Sequence, residues 1–320
     1  MVRMILRRLA VSIAMLAAVS ALIFVVLRLL PGDPVITRLG ATPGISPAAI
    51  AELRKDAGLD DPIWVQYARW VGGMLHGDFG RSYFNQYSVT QLIGQRLPTT
   101  IELTFLSMLL AVVLAVPGAL LAVRRPGGIV DRLLTTVSSA GMALPSFIVG
   151  VLLIVIFAVK WGVLPSTGFV PLGQSLGGNL KTMILPSLTL AIAAAPLLLR
   201  FLRASLLEVL AAPFIRTARG KGASGPRVLL AHALRNSLTP AVTMLGLIIG
   251  YTLGGTVIIE NVFGLPGLGA LAVDSVSKRD YAVLQSCVLL ISSMFILTTL
   301  LVDIVTGVLD PRLRVGRRHG

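Results

Sequence analysis

The chain has one cysteine, Cys287, and three histidines, His76, His232 and His319, among 320 residues. A lone thiol excludes a disulfide framework and a thiolate metal site, and it leaves the redox compartment unread. The histidines lie too far apart in sequence to show metal-ligand spacing. Charge is scarce as well, at 13% of residues, where soluble domains run near about a quarter. With 55% hydrophobic residues and a mean hydropathy of +0.86, the composition excludes a disordered chain, a fibrous one and an ordinary cytosolic enzyme. No G-x-x-x-x-G-K-[ST] run is present, so the chain has no P-loop for ATP. A G-x-G-x-x-G run does occur at Gly220, Gly222 and Gly225. It signals dinucleotide binding only when a strand leads into it, and here a leucine-rich segment and Pro213 precede it, so we set that reading aside.

What is present is long apolar runs free of Asp, Glu, Lys and Arg. There are six: Leu9–Leu27 (19 residues), Leu103–Val123 (21), Leu133–Val159 (27), Thr182–Leu199 (18), Ser237–Ile259 (23) and Tyr281–Val302 (22). A helix needs about 20 apolar residues to cross the hydrocarbon, so all six predict membrane spans. Strands rarely exceed about 10 residues, and surface helices keep a polar face that these runs lack. The first run follows Arg3, Arg7 and Arg8, as in a signal peptide, but it is too long and Arg28-Leu29-Leu30-Pro31 is no small-residue cleavage site. A retained helix is the expectation.

The formal charge of +14 has to be located before it is interpreted. With the N-terminus inside, 17 of the 28 bases fall on inner segments with only Asp131, Glu208 and Asp310, while 11 bases and nine acids fall outside. That asymmetry predicts both termini on the cytoplasmic side, and it explains the charge without a nucleic-acid partner. Glu102 and Asp303 sit at or near span ends.

Between the spans, Ser46-Pro47 predicts a short capped helix ending near Gly58, and Asp61-Pro62 starts a second. The latter places Ile63, Tyr67, Trp70 and Met74 on one apolar face, either packed on membrane or spans or offered to an external partner. The segment from Arg200 to Asn236 carries seven bases and one acid. Such a loop suits anionic lipid or a protein partner. Within it, a helix over Leu206–Ala218 is expected, with Gly222 allowing a turn. Gly246, Gly250 and Gly254 recur every four residues and allow close helix packing, within one subunit or between two. Pro117, Pro145, Pro186 and Pro196 suggest helices that bend around a pathway. No acid or base lies at the centre of a span. An ion-coupled carrier or an intramembrane enzyme normally needs polar groups there, so a transport part powered by something else is the consistent remainder.

Several stretches, in order, resemble the permease subunits of ATP-binding-cassette importers for peptides, the family that includes the oligopeptide, dipeptide, glutathione and nickel systems. They are Leu29-Leu30-Pro31-Gly32-Asp33-Pro34, Gly77-Asp78-Phe79-Gly80-Arg81-Ser82, Arg96-Leu97-Pro98-Thr99-Thr100-Ile101-Glu102-Leu103, Ile215-Arg216-Thr217-Ala218-Arg219-Gly220-Lys221-Gly222, His232-Ala233-Leu234-Arg235-Asn236-Ser237-Leu238-Thr239-Pro240, Glu260-Asn261-Val262-Phe263-Gly264-Leu265-Pro266-Gly267-Leu268-Gly269 and Leu309-Asp310-Pro311-Arg312. Each alone is weak; together they are specific and cover nearly the whole chain.

The resemblance implies an all-α integral membrane protein with six transmembrane helices and the type I importer permease fold, in a bacterial cytoplasmic membrane. It implies a first helix plus extracytoplasmic loop over 1–94, a five-helix core over 95–310 and a basic cytoplasmic tail over 311–320. In this family a cytoplasmic loop with the pattern E-A-A-x-x-x-G docks on the ATPase. The matching positions are Arg216, Thr217, Ala218 and Gly222, with Arg219 beside them and Pro240 downstream; Arg replaces the Glu and Thr the first Ala. The implied partners are a second homologous permease, two ATPase subunits that hold the ATP and Mg, an extracytoplasmic solute-binding protein, and membrane lipid. The implied cargo is small peptides, with nickel, glutathione or a peptide-like antibiotic as alternatives. No cofactor in this chain is implied.

Overall fold

The computed structural model describes residues 2–29, 47–56 and 58–309. Ser46, the first-span exit at 30–34 and the tail at 311–320 lie outside the described residues. The described elements are helices, in the order α1 (Val2–Leu29), α2 (Pro47–Asp56), α3 (Ile63–Leu75), α4 (Val89–Ala122), α5 (Ile129–Ala143), α6 (Ser146–Leu153) with a π-helical continuation over Ile154–Lys160, α7 (Leu176–Ala211), α8 (Pro213–Gly220), a single turn at Gly225–Arg227 running into π-helical Val228–Leu234, α9 (Arg235–Phe263), α10 (Leu268–Ser277) and α11 (Tyr281–Leu309). All-helical structure is what the composition dictates, because hydrocarbon offers no partner for a backbone amide left outside a helix.

Among the described residues five helices are each long and apolar enough to cross a membrane, and α5 and α6, bent by 103° at their junction, make a sixth crossing if the pair is one broken span. The third apolar run, Leu133–Val159, is therefore two helices broken at Pro145, one of the prolines expected to bend the spans. Leu144 is extended, with φ −88° and ψ 127°, as the residue before a proline prefers. Pro145 then starts a new helix. Pro186 and Pro196, by contrast, lie inside the one helix α7.

The chain divides into two compact units, one made of Ala10–Thr100 and Pro266–Ile296, the other centred on Ile101–Leu265. In the larger unit, small residues let α4 and α7 approach closely: Ala111, Ala115 and Ala119 are buried in the same cluster as Ala191, Ala194, Ala195 and Leu198. A Cβ on Gly118 would come within 2.7 Å of Leu199. A second cluster joins Leu103, Met183, Leu185, Ile259 and Phe263. Helix α9 extends past the end of the fifth apolar run at Ile259. It includes fully buried Glu260 and stops at Phe263, where Gly264 takes φ +64° and the Leu265 amide donates to the Glu260 carbonyl at 2.8 Å. The Glu260–Gly269 stretch is thus, in part, a glycine-terminated helix stop followed by a proline.

In the smaller unit, Val89 and Ile93 pack with Leu268, Ala272, Val283 and Cys287. Part of the apolar face of α3 packs on α1: Tyr67 and Trp70 meet Phe24 at ring separations of 5.4 and 5.8 Å, edge-on and tilted, while Ile63 stays exposed. Ser20 and Tyr67 share a 2.8 Å hydrogen bond. That favours the packing reading of this face over the docking one.

Candidate functional site

The candidate site is the loop between α7 and α9. α7 does not stop where its apolar run stops at Leu199. It continues from Arg200 to Ala211, twelve residues and about 18 Å of further helix. The expected helix over Leu206–Ala218 is therefore not one element. It is the end of α7 and a separate α8, divided at Ala212, which is extended with ψ 148° ahead of Pro213. Pro213 occupies the first turn of α8, where its missing amide costs nothing.

α8 is held by one buried side chain, Ile215. Arg216, Thr217 and Arg219 are exposed around it, and Ala218 is half-buried. The turn after α8 depends on Gly222, whose φ of +84° favours glycine. Its amide donates to the Arg219 carbonyl at 2.9 Å, and the Ala223 amide to the Ala218 carbonyl at 3.1 Å. Nothing lies within 4 Å of where a Gly222 Cβ would be, so backbone conformation and not space calls for glycine here. The G-x-G-x-x-G run is accordingly a helix end, a left-handed turn and the start of the next turn.

Together α8 and the following π-helical segment frame an open recess of about 470 Å3 lined by Phe214, Thr217, Ala218, Lys221, Arg227 and His232, with Gly222 at its edge. Among the described residues no ion pair engages Arg216, Arg219 or Lys221, so the surface is positive and free to meet carboxylates. Of the expected residues, Thr217, Ala218 and Gly222 line the recess, while Arg216 and Arg219 are exposed on the same short helix without lining it. Pro240 is inside α9 and does not line the recess.

The three glycines that recur every four residues in α9 separate. Gly246 is buried, and a Cβ there would meet Val302 at 2.7 Å. Gly250 and Gly254 instead line a groove of about 360 Å3 with Ser146, Leu190, Ala194 and Tyr251, which carries no acid or base.

Two ion pairs among the described residues join parts of the chain far apart in sequence, and neither was expected. Arg203 of α7 makes a two-pronged contact with Asp131 of α5, at 2.5 and 2.7 Å. Arg8 of α1 pairs with Asp303 of α11. No local spacing signals either, since the partners are 72 and 295 residues apart.

The family model described as "binding-protein-dependent transport system inner membrane component" matches residues 107–315, and the N-terminal model of the same systems matches residues 1–104. The chain belongs to this family. The chain is 41% identical over 310 residues to the probable peptide ABC transporter permease protein y4tP of Sinorhizobium fredii, covering 97% of this chain and 98% of the relative. It is 40% identical over 314 residues to the glutathione transport system permease protein GsiC of Escherichia coli strain K12, covering 98% and 99%. An inward-facing structure of the MetNI methionine ABC transporter aligns with a TM-score of 0.58 at 20% identity, over 69% of this chain and 97% of that one. At that identity the match establishes the fold, the all-α type I permease architecture that the motif resemblance implied. The permease is thus the membrane-spanning component of an importer.

Proposed function

We propose that this permease forms half of the channel through which an ATP-driven importer carries small peptides across a bacterial cytoplasmic membrane. The observation that carries the proposal is the basic, exposed face of α8 beside its recess, on a helix that is a separate lever at the end of α7. Two ATPase subunits would hold the ATP and Mg and insert acidic residues against Arg216, Arg219 and Lys221. A second, similar permease would complete the channel, and an external solute-binding protein would deliver the cargo. Both termini would face the cytoplasm, as the distribution of bases favours. The division into an N-terminal segment over 1–94, a five-helix core over 95–310 and a basic tail over 311–320 belongs to the same reading.

The peptide cargo is supported by the relatives named for peptide and glutathione transport, glutathione itself being a tripeptide. An uncharged groove with glycine, alanine and serine in its wall suits side chains of varied size and leaves selection to the binding protein.

The test is uptake by the full complex in liposomes, with labelled di-, tri- and pentapeptides set against glutathione and nickel. Peptide uptake that needs ATP supports the reading; uptake of nickel alone overturns the cargo. Removal of residues 213–222 is expected to strip the ATPase subunits from the purified complex, and their retention would overturn the docking assignment.

A further inference from the structure

The Arg203–Asp131 pair lies between the proposed ATPase-docking helix and the broken span. Asp131 is 3% exposed. Its two carboxylate oxygens accept from Arg203 Nε at 2.5 Å and Nη2 at 2.7 Å, and the second also accepts from the Gly127 amide at 2.7 Å. Arg203 belongs to the part of α7 that projects beyond the apolar run, with buried Leu202 and Leu206 on either side, and α8 begins ten residues later. Asp131 opens α5, whose opposite face, with Ile129, Leu133 and Val137, is exposed. Towards its other end α5 meets α7 again where a Cβ on Gly141 would approach Pro196 at 3.3 Å. α5 thus runs close to α7 near both ends, with no room to spare at Gly141 beside the 103° bend and with a charged fork at the start. Beyond the bend, Ser146 lines the groove that Gly250 and Gly254 also line.

A buried ion pair is a poor way to gain stability, because apolar residues of similar volume do as well or better. What a two-pronged Arg–carboxylate contact supplies is fixed direction. We infer that Arg203 and Asp131 are positioning residues that carry movement of α8 through α7 to α5, and so to the bend at Pro145 and the groove. This inference rests on the proposal that α8 docks the ATPase. In it, the Gly127 contact makes the loop before α5 move with the pair, so that α5 swings as a rigid body about its contact with Pro196.

The experiment measures ATP hydrolysed per peptide imported by the complete complex in liposomes. Asp131→Asn removes the charge and keeps the shape. It is expected to leave the ATPase subunits bound while raising the ratio at least about fivefold, the lower end of ordinary coupling between sites. Arg203→Lys keeps the charge without the fork and should also raise it. The exchanged pair Asp131→Arg with Arg203→Asp should restore it at least in part. The apolar pair Asp131→Leu with Arg203→Met serves if single variants fold badly; it should assemble and remain uncoupled. An unchanged ratio in any assembled single or apolar variant overturns the inference. So does failure of every variant to assemble, since the pair would then serve folding alone. The docking proposal fails separately, by retention of the ATPase after removal of residues 213–222.

Discussion

A Cβ placed on Gly246 would lie 2.7 Å from the Val302 side chain, closer than a real contact allows. The first glycine of the four-residue stripe therefore serves packing inside this subunit, of α9 on α11. Gly246→Ala should destabilise the purified permease by about 1–3 kcal/mol through overpacking. Adding Val302→Ala should return most of that loss, because the two sites share one contact. Thermal unfolding in detergent checks both. Gly254, with open space around it, should tolerate alanine without such a loss.

The carboxylate of Asp280 accepts from the Ser82 hydroxyl, from the Tyr83 amide at 3.1 Å and from the Val283 amide at 3.5 Å, at the start of α11. It caps the helix and ties the 77–88 loop to it. Asp280→Ala should lower stability by about 3 kcal/mol, because several donors lose a charged acceptor at a site with little water. The readout is unfolding temperature, together with faster proteolysis near Tyr83.

Gly222→Val should disturb the loop without filling any space, because only the positive φ resists the change. A left-handed valine costs at least about 1–2 kcal/mol. The expected outcome is weaker retention of the ATPase subunits on affinity purification, with the unfolding temperature of the spans nearly unchanged.

Asp303 pairs with Arg8, whose side chain is half exposed. Asp303 itself is only 19% exposed, so the pair is partly buried and each charge serves chiefly to partner the other. Asp303→Asn should therefore leave peptide uptake near the wild-type rate. A large loss of uptake would give Asp303 a role in transport beyond this pairing.

Pro145→Ala restores an amide at the bend, and Leu144 is then free to adopt helical angles. The variant should assemble with its ATPase subunits yet import slowly, because a straightened third span removes Ser146 from the groove wall. Uptake assays and crosslinking between positions 146 and 254 test this.

The crossings were legible because they depend only on run length and missing charge, which a sequence states outright. So was Gly222, since a glycine after a basic helix end has few other uses. The bend at Pro145 was half legible. Pro186 and Pro196 sit in similar apolar surroundings and leave α7 as one helix, so a proline marks where a break is permitted without deciding that it occurs. The division of α7 from α8 at Pro213 was missed although its signal was present, in the restriction that proline places on Ala212. The Arg203–Asp131 pair had no signal at all. It depends on how α5 crosses α7, which local spacing does not record.

The kink at Leu144 also says which neighbour this flank requires. A helix interrupted there leaves peptide carbonyls without intrahelical donors, and alkyl chains supply none. Water, a neighbouring helix of this chain or another polypeptide has to satisfy those carbonyls, so bare hydrocarbon is a poor neighbour for the residues around Leu144.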